Sequence, residues 1–142
     1  MTNILVIEDD RIQADELRTR LEQNPGVRVH LISTELEFRK HIDDPETAGY
    51  ALAVVDMMLR WTDPAKDMEM PDPETLKDGF YSAGLRCCRK LRDRGVKCVI
   101  FTALDPARIP LEPSEQFSIV NKSRGYTALL DAIKPLLGTP RP

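Results

Sequence analysis

The stretch Tyr50–Leu59, YALAVVDMML, decides the fold. Ala51, Leu52, Ala53, Val54 and Val55 form an apolar run too short to span a membrane, and its valines suit a strand buried on both faces. The run stops at a carboxylate, Asp56. A charge ending a buried parallel strand falls at the carboxyl edge of the sheet, where open α/β proteins hold their ligands. One acid there reads equally well as a solubilising residue. A second strand ending the same way weighs against that: Asn3–Ile7, NILVI, runs directly into Glu8, Asp9 and Asp10.

If the two strands are parallel in one sheet, their carboxylates share one edge. Like charges that close need a cation or shifted pKa values. Magnesium suits such a site, because it binds through a few carboxylates together with waters and phosphate oxygens. Asp10 also fits as the N-cap of the helix that follows.

Around these strands the chain alternates strand and helix. Arg11–Gln23 is a helix with Ile12, Leu17 and Leu21 on one side, stopped by Asn24-Pro25-Gly26. Val27–Ile32 is a second strand, and Glu35–Ile42 a helix closed by Asp43-Asp44-Pro45. After the organising strand, Gly79–Asp93 reads as a helix with Phe80, Ala83, Leu85, Cys87, Cys88 and Leu91 apolar, ended by Gly95. Lys97–Thr102 is a fourth strand, Phe117–Val120 a fifth, and Arg124–Leu137 the last helix, kinked or ended at Pro135. This alternation predicts an α/β fold with a doubly wound parallel sheet covered on both faces.

Two stretches break the rhythm. Residues 60–77 carry prolines and acids in a run long for a βα loop and too broken for a helix. They read as an insertion, either a solvated excursion or a docking segment with Trp61 and Met68 or Met70 as contacts. Leu104–Gln116 holds Pro106, Pro110 and Pro113, which exclude a full helix between the fourth and fifth strands and predict an extended or one-turn crossover. The expected domain is 1–138 with a short tail, 139–142.

At 142 residues the chain fits one domain, and its net charge of −3 argues against general nucleic-acid binding. Cys87, Cys88 and Cys98 form no C-x-x-C pair and read as reduced thiols, and no signal or spanning segment is evident. The expected setting is cytoplasmic. The basic side Arg86, Arg89, Lys90, Arg92 and Arg94 reads as a solvated helix face.

Thr102 ends the fourth strand and Lys122 follows the fifth, so both belong at the edge that holds Asp56. An aspartate, a hydroxyl, an ammonium and an acid pair form a coherent set for phosphoryl transfer. Asp56 is the expected nucleophile, forming an acyl phosphate. Magnesium is expected on Asp9, Asp56 and the Met58 carbonyl, with Glu8 acting through water. Lys122 and Thr102 would each hold a phosphoryl oxygen.

These residues resemble a receiver (response-regulator) domain of bacterial two-component signalling. The likeness covers essentially the whole chain: ILVIEDD with Glu8 and Asp9, Asp56 in VVDMML, Asp78-Gly79, Thr102-Ala103 and Lys122. The resemblance implies a flavodoxin-like five-stranded sheet of order 2-1-3-4-5, here with the fourth helix broken or absent. It also implies phosphotransfer onto Asp56 from a histidine kinase or phosphotransfer protein, slow self-hydrolysis, and relay to a partner protein. Three positions depart from the pattern. Arg60 stands where receivers usually have proline, Lys122-Ser123 replaces Lys-Pro, and Ile119 occupies the place of an aromatic switch residue.

The main rival is a receiver-like module that binds a partner without phosphorylation. An FMN carrier is disfavoured because Glu8-Asp9-Asp10 would repel its phosphate. A haloacid-dehalogenase-type phosphatase would want a second aspartate where Met58 stands. DNA binding has no further domain here to carry it, and the chain is expected to stand alone.

Overall fold

The computed structural model describes residues 2–43, 49–62, 70–79 and 82–137. Within these, five strands form one parallel sheet: β1 (Thr2–Ile7), β2 (Val27–Ile32), β3 (Tyr50–Val55), β4 (Lys97–Thr102) and β5 (Ser118–Asn121). Their order is β2-β1-β3-β4-β5, the doubly wound arrangement the resemblance implied. Five helices accompany them: α1 (Arg11–Glu22), α2 (Glu35–Ile42), α3 (Pro73–Asp78), α4 (Ala83–Asp93) and α5 (Gly125–Ile133). The Asp44-Pro45 helix stop, the contact expected of Met68, Phe80 on the apolar face and the 139–142 tail lie outside the described residues.

Strand alternation splits the core in two. Leu5, Ile7, Ala53, Val55, Cys98 and Ile100 pack with Phe38 and Ile42 of α2 and Leu85, Cys88 and Leu91 of α4. Ile4, Val6, Leu52, Val54, Val99, Phe101 and Val120 pack with Leu17 and Leu21 of α1 and Leu129 and Ile133 of α5. Each large aliphatic fully buried this way contributes about 1.5–3 kcal/mol. Cys87, Cys88 and Cys98 are buried and unbridged. No helix among the described residues is long and apolar enough to cross a membrane.

The local signals held at most helix ends. The Asp10 side chain caps α1 by accepting from the Ile12 and Gln13 N–H groups, and Thr34 caps α2. α5 ends at Ile133 and continues as a 3₁₀ turn, Lys134–Leu137, which contains Pro135. Between β4 and β5 the only helical piece is a 3₁₀ turn at Pro106–Arg108, capped by Asp105. The expected loss of a full helix there is what the structure shows.

Three expectations need correction. The 60–77 stretch is not too broken for a helix: α3 forms within it, because Asp72 caps Thr75 N–H and Pro73 occupies the first helical position. α4 begins at Ala83 and not at Gly79, which instead ends α3 with φ 73°. The arginine side of α4 is not simply solvated. Arg86 grips the buried Glu35 carboxylate of α2 at 2.7 and 2.8 Å, and Arg89 grips Glu115 at 2.7 and 2.8 Å.

Glu115 fixes the segment that replaces the missing helix. Its carboxylate also accepts from Arg92 at 3.0 Å and from Glu112 N–H at 2.8 Å. The Arg89 hydrogen bond, ahead of the other contacts, holds its pKa down at about 2. A depressed carboxylate stabilises the fold above its unfolded pKa and loses that contribution as pH falls through the folded one. Glu115→Gln is therefore expected to destabilise at neutral pH, and urea melts should show the gap from wild type closing between about pH 4.5 and pH 2.

Candidate functional site

Register explains why the polar strand ends meet. Ile7 pairs with Val55 and Val55 with Ile100, while Thr102 pairs with Asn121. Glu8 and Asp56 thus leave the sheet side by side, and Lys122 emerges one strand beyond β4. Glu8 continues the alternation of Ile4 and Val6, Asp56 that of Leu52 and Val54, and Lys122 that of Val120. All three follow rows that face the α1/α5 layer.

The Lys122 ammonium sits among three acceptors: Glu8 Oε1 at 2.5 Å, Gln13 Oε1 at 2.6 Å and Asp56 Oδ2 at 2.9 Å. Its three N–H donors are therefore all used. Burial alone would lower the Lys122 pKa, but the bonds to Glu8 and Asp56 outweigh it and raise it, so the group stays charged. The Lys122–Ser123 bond is trans. Lys122 opens a 3₁₀ turn in which Asn121 Oδ1 accepts from Ser123 N–H, while Asn121 Nδ2 donates to the Leu104 carbonyl. Asn121 thus aims the lysine, a role that sequence reading did not assign.

Two buried carboxylates surround one ammonium, so ionising both would leave one negative charge uncompensated. Burial, and then the neighbouring Asp56 carboxylate, push the Glu8 pKa up to about 8. Glu8 Oε2 is buried with no hydrogen-bond partner among the described residues. Among the described residues, Asp56 Oδ1 accepts only a long 3.4 Å bond, from Met58 N–H. These two under-used oxygens are the donor chemistry a hard divalent cation wants, so the residues fit magnesium.

Asp9 stands differently. Its Oδ2 accepts from Arg60 N–H at 3.2 Å and lies 3.7 Å from Arg60 Nε, and no cluster of three acids forms among the described residues. Met58 is half-buried beside Asp56, where its carbonyl would have to serve. Thr102 is fully buried, and its hydroxyl accepts from Leu104 N–H at 3.3 Å, holding the turn after β4. The site therefore gathers Glu8, Asp56 and Lys122 tightly, while Asp9 and Thr102 make other contacts.

Gly84 also belongs to the site. Its N–H donates to the Met57 carbonyl at 2.9 Å, and a Cβ there would lie 2.1 Å from the Asp56 carbonyl oxygen. The first turn of α4 thus rests directly on the backbone that presents Asp56. The sequence reading favoured Asp78-Gly79 as the glycine motif, but the close approach falls on Gly84. A glycine inside a helical pattern was the available signal.

No family model matches the sequence, and no curated protein matches it. Solved structures do match. Response regulator TrrA from Thermotoga maritima, in complex with Mg2+-BeF, is 22% identical over 96% of this chain and 99% of that one, with a TM-score of 0.66. A response regulator receiver protein from Sinorhizobium medicae is 18% identical, covers 97% of this chain and 95% of that one, and has a TM-score of 0.69. The CheY-like receiver domain from Methanospirillum hungatei is 21% identical over 96% and 94% of the two chains, with a TM-score of 0.63.

The chain has the receiver fold. Within it, the acidic hollow lies where β1 and β3 end, the point of reversal in strand order that creates the ligand crevice of doubly wound sheets.

The uncompensated Glu8 gives this receiver fold a pH signature. Between about pH 4.5 and about pH 8 the folded chain keeps a proton that the unfolded chain has released. Ion-free stability is therefore expected to fall as pH rises through that window and to level off above it. Thermal melts in chelator should show this slope in wild type and its loss in Glu8→Gln. Gly84→Ala is expected to cost about 1–3 kcal/mol in urea melts through overpacking against the Asp56 backbone.

Proposed function

We propose that the protein is a phosphoacceptor switch working through Asp56. An Asp56 carboxylate oxygen attacks the phosphorus of a phosphohistidine on a histidine kinase or phosphotransfer protein. The P–N bond breaks, the imidazole leaves, and an acyl phosphate forms on Asp56. Water later cleaves that bond and returns the carboxylate and inorganic phosphate. The acquired charge of about −1.5 to −2 is the signal passed to a partner protein.

The observation that carries this reading is the Lys122 ammonium at 2.9 Å from Asp56 beside the uncapped Glu8 oxygen. Lys122 would keep its charge and move with a phosphoryl oxygen. Thr102, one residue past the β4 row that ends beside Asp56, would turn its hydroxyl to another. Glu8, Asp9, Asp56 and the Met58 carbonyl would hold magnesium, which supplies neutralisation of the phosphoryl charge when bound. Helix α3 and the 104–116 segment would be the natural readout surfaces.

A receiver-like module that binds its partner unphosphorylated is the second reading. It is favoured by Arg60 on Asp9, which leaves the acid pair divided. Incubation with acetyl phosphate and Mg2+ separates the two. Intact mass should rise by one phosphoryl group in wild type and not in Asp56→Asn, with Lys122→Ala strongly impaired. An unchanged wild-type mass would favour the module.

A further inference from the structure

Arg60 follows the Asp56 turn and reaches back to the end of β1. Its backbone N–H donates to Asp9 Oδ2 at 3.2 Å, and its Nη2 donates to the Asp9 carbonyl at 3.1 Å. Its Nε lies 3.7 Å from the same Oδ2. On its other side, the Arg60 carbonyl accepts from Glu35 N–H at 2.9 Å, and the Trp61 carbonyl accepts from Leu36 N–H at 2.8 Å. The backbone of Arg60 is therefore pinned between β1 and the first turn of α2, and its guanidinium is delivered to Asp9. Glu8, the other member of the acid pair, is 6% exposed and keeps a buried oxygen without a hydrogen-bond partner.

We propose that Arg60 is a built-in competitor for the acidic site: its guanidinium holds Asp9 and must yield it before a divalent ion can be bound by both acids. The inference rests on the reading of Glu8, Asp9 and Asp56 as magnesium ligands and concerns what sets their affinity. An arginine is permanently charged, so its hold on Asp9 does not fade anywhere in the physiological pH range. A divalent ion outcompetes it only by engaging Glu8 and Asp56 as well, which a tethered guanidinium on Asp9 does not do. Ion binding is then coupled to a change of partner at Arg60, next to the chain's single tryptophan and the start of α2.

The side chain is half-exposed and so is modestly held, whereas the backbone bonds survive its removal. Arg60→Ala should therefore fold, with the charge competition gone. Isothermal calorimetry with Mg2+ alone, on the full chain without phosphodonor, is the test. A partly exposed ion pair predicts affinity in Arg60→Ala about two- to fivefold tighter than wild type, a gain that shrinks in high salt. Asp9→Asn should weaken binding and abolish the gain from Arg60→Ala in the double variant. Should Arg60→Ala unfold by circular dichroism, Arg60→Gln keeps the stem without the charge and serves the same comparison. Equal or weaker affinity in the variant, with wild type still binding, overturns the competitor role and leaves the phosphoacceptor reading standing. Absence of Mg2+ binding in every variant overturns both.

Discussion

A single half-buried ammonium between two buried carboxylates governs the carboxyl edge of this sheet. Taking Glu8, Asp56 and Lys122 out of water costs several kcal/mol per ion, and only mutual pairing with complete hydrogen bonding offsets it. Lys122 is completely bonded; Glu8 is not. The edge is therefore stable enough to persist while one buried oxygen keeps no hydrogen-bond partner among the described residues. A fully satisfied cluster would be a structural ion pair with nothing to gain from a ligand. Gly84 and Asn121 serve this arrangement from outside, one by letting α4 approach the Asp56 backbone, the other by fixing the turn that carries the lysine.

A second ionic centre organises the opposite side of the sheet. Glu35, at the start of α2, has 2% of its side chain exposed and is held by Arg86 from α4 and by Arg39 from its own helix. Arg39 extends the chain of contacts to Asp72 at 3.0 Å and Thr75 at 2.7 Å, and it lies 4.8 Å over the Trp61 ring. Helices α2, α3 and α4 are thereby tied through one carboxylate. Replacing that carboxylate alone would take one acceptor from each of two guanidinium groups, a larger penalty than replacing the whole set with apolar residues. Asp72 and Thr75, in the polar stretch that looked like an excursion in the sequence, are docked by chemistry that only distant partners reveal.

The sheet was legible because buried parallel strands write themselves as apolar runs, and the ends of β1 and β3 were legible because each run stops at an acid. Asp56 and Lys122 could be placed at one edge because each follows the end of a strand in a parallel sheet. What local sequence could not show was pairing across long separations. Asp9 looks equivalent to Glu8 in ILVIEDD, yet it faces Arg60, 51 positions away, whereas Glu8 faces Lys122, 114 positions away. Thr102 has the right address, but its hydroxyl is engaged by Leu104 N–H. Helix α3 was missed because its prolines were counted as breakers, although Pro73 sits where a helix start accepts one.

The Glu115 clamp has a thermodynamic consequence of its own. Between β4 and β5 a helix would have covered the sheet with apolar area, and hydration of that area is what gives unfolding its heat-capacity increment. Here the covering segment adds Ile109 to the core, packs Leu104 and Leu111 against its margin, and is clamped by guanidinium–carboxylate contacts. Such contacts do not weaken on cooling as hydrophobic burial does, but dissolved salt reaches them. This flank of the molecule is thus more sensitive to ionic strength, and less to cooling, than a helical flank would be.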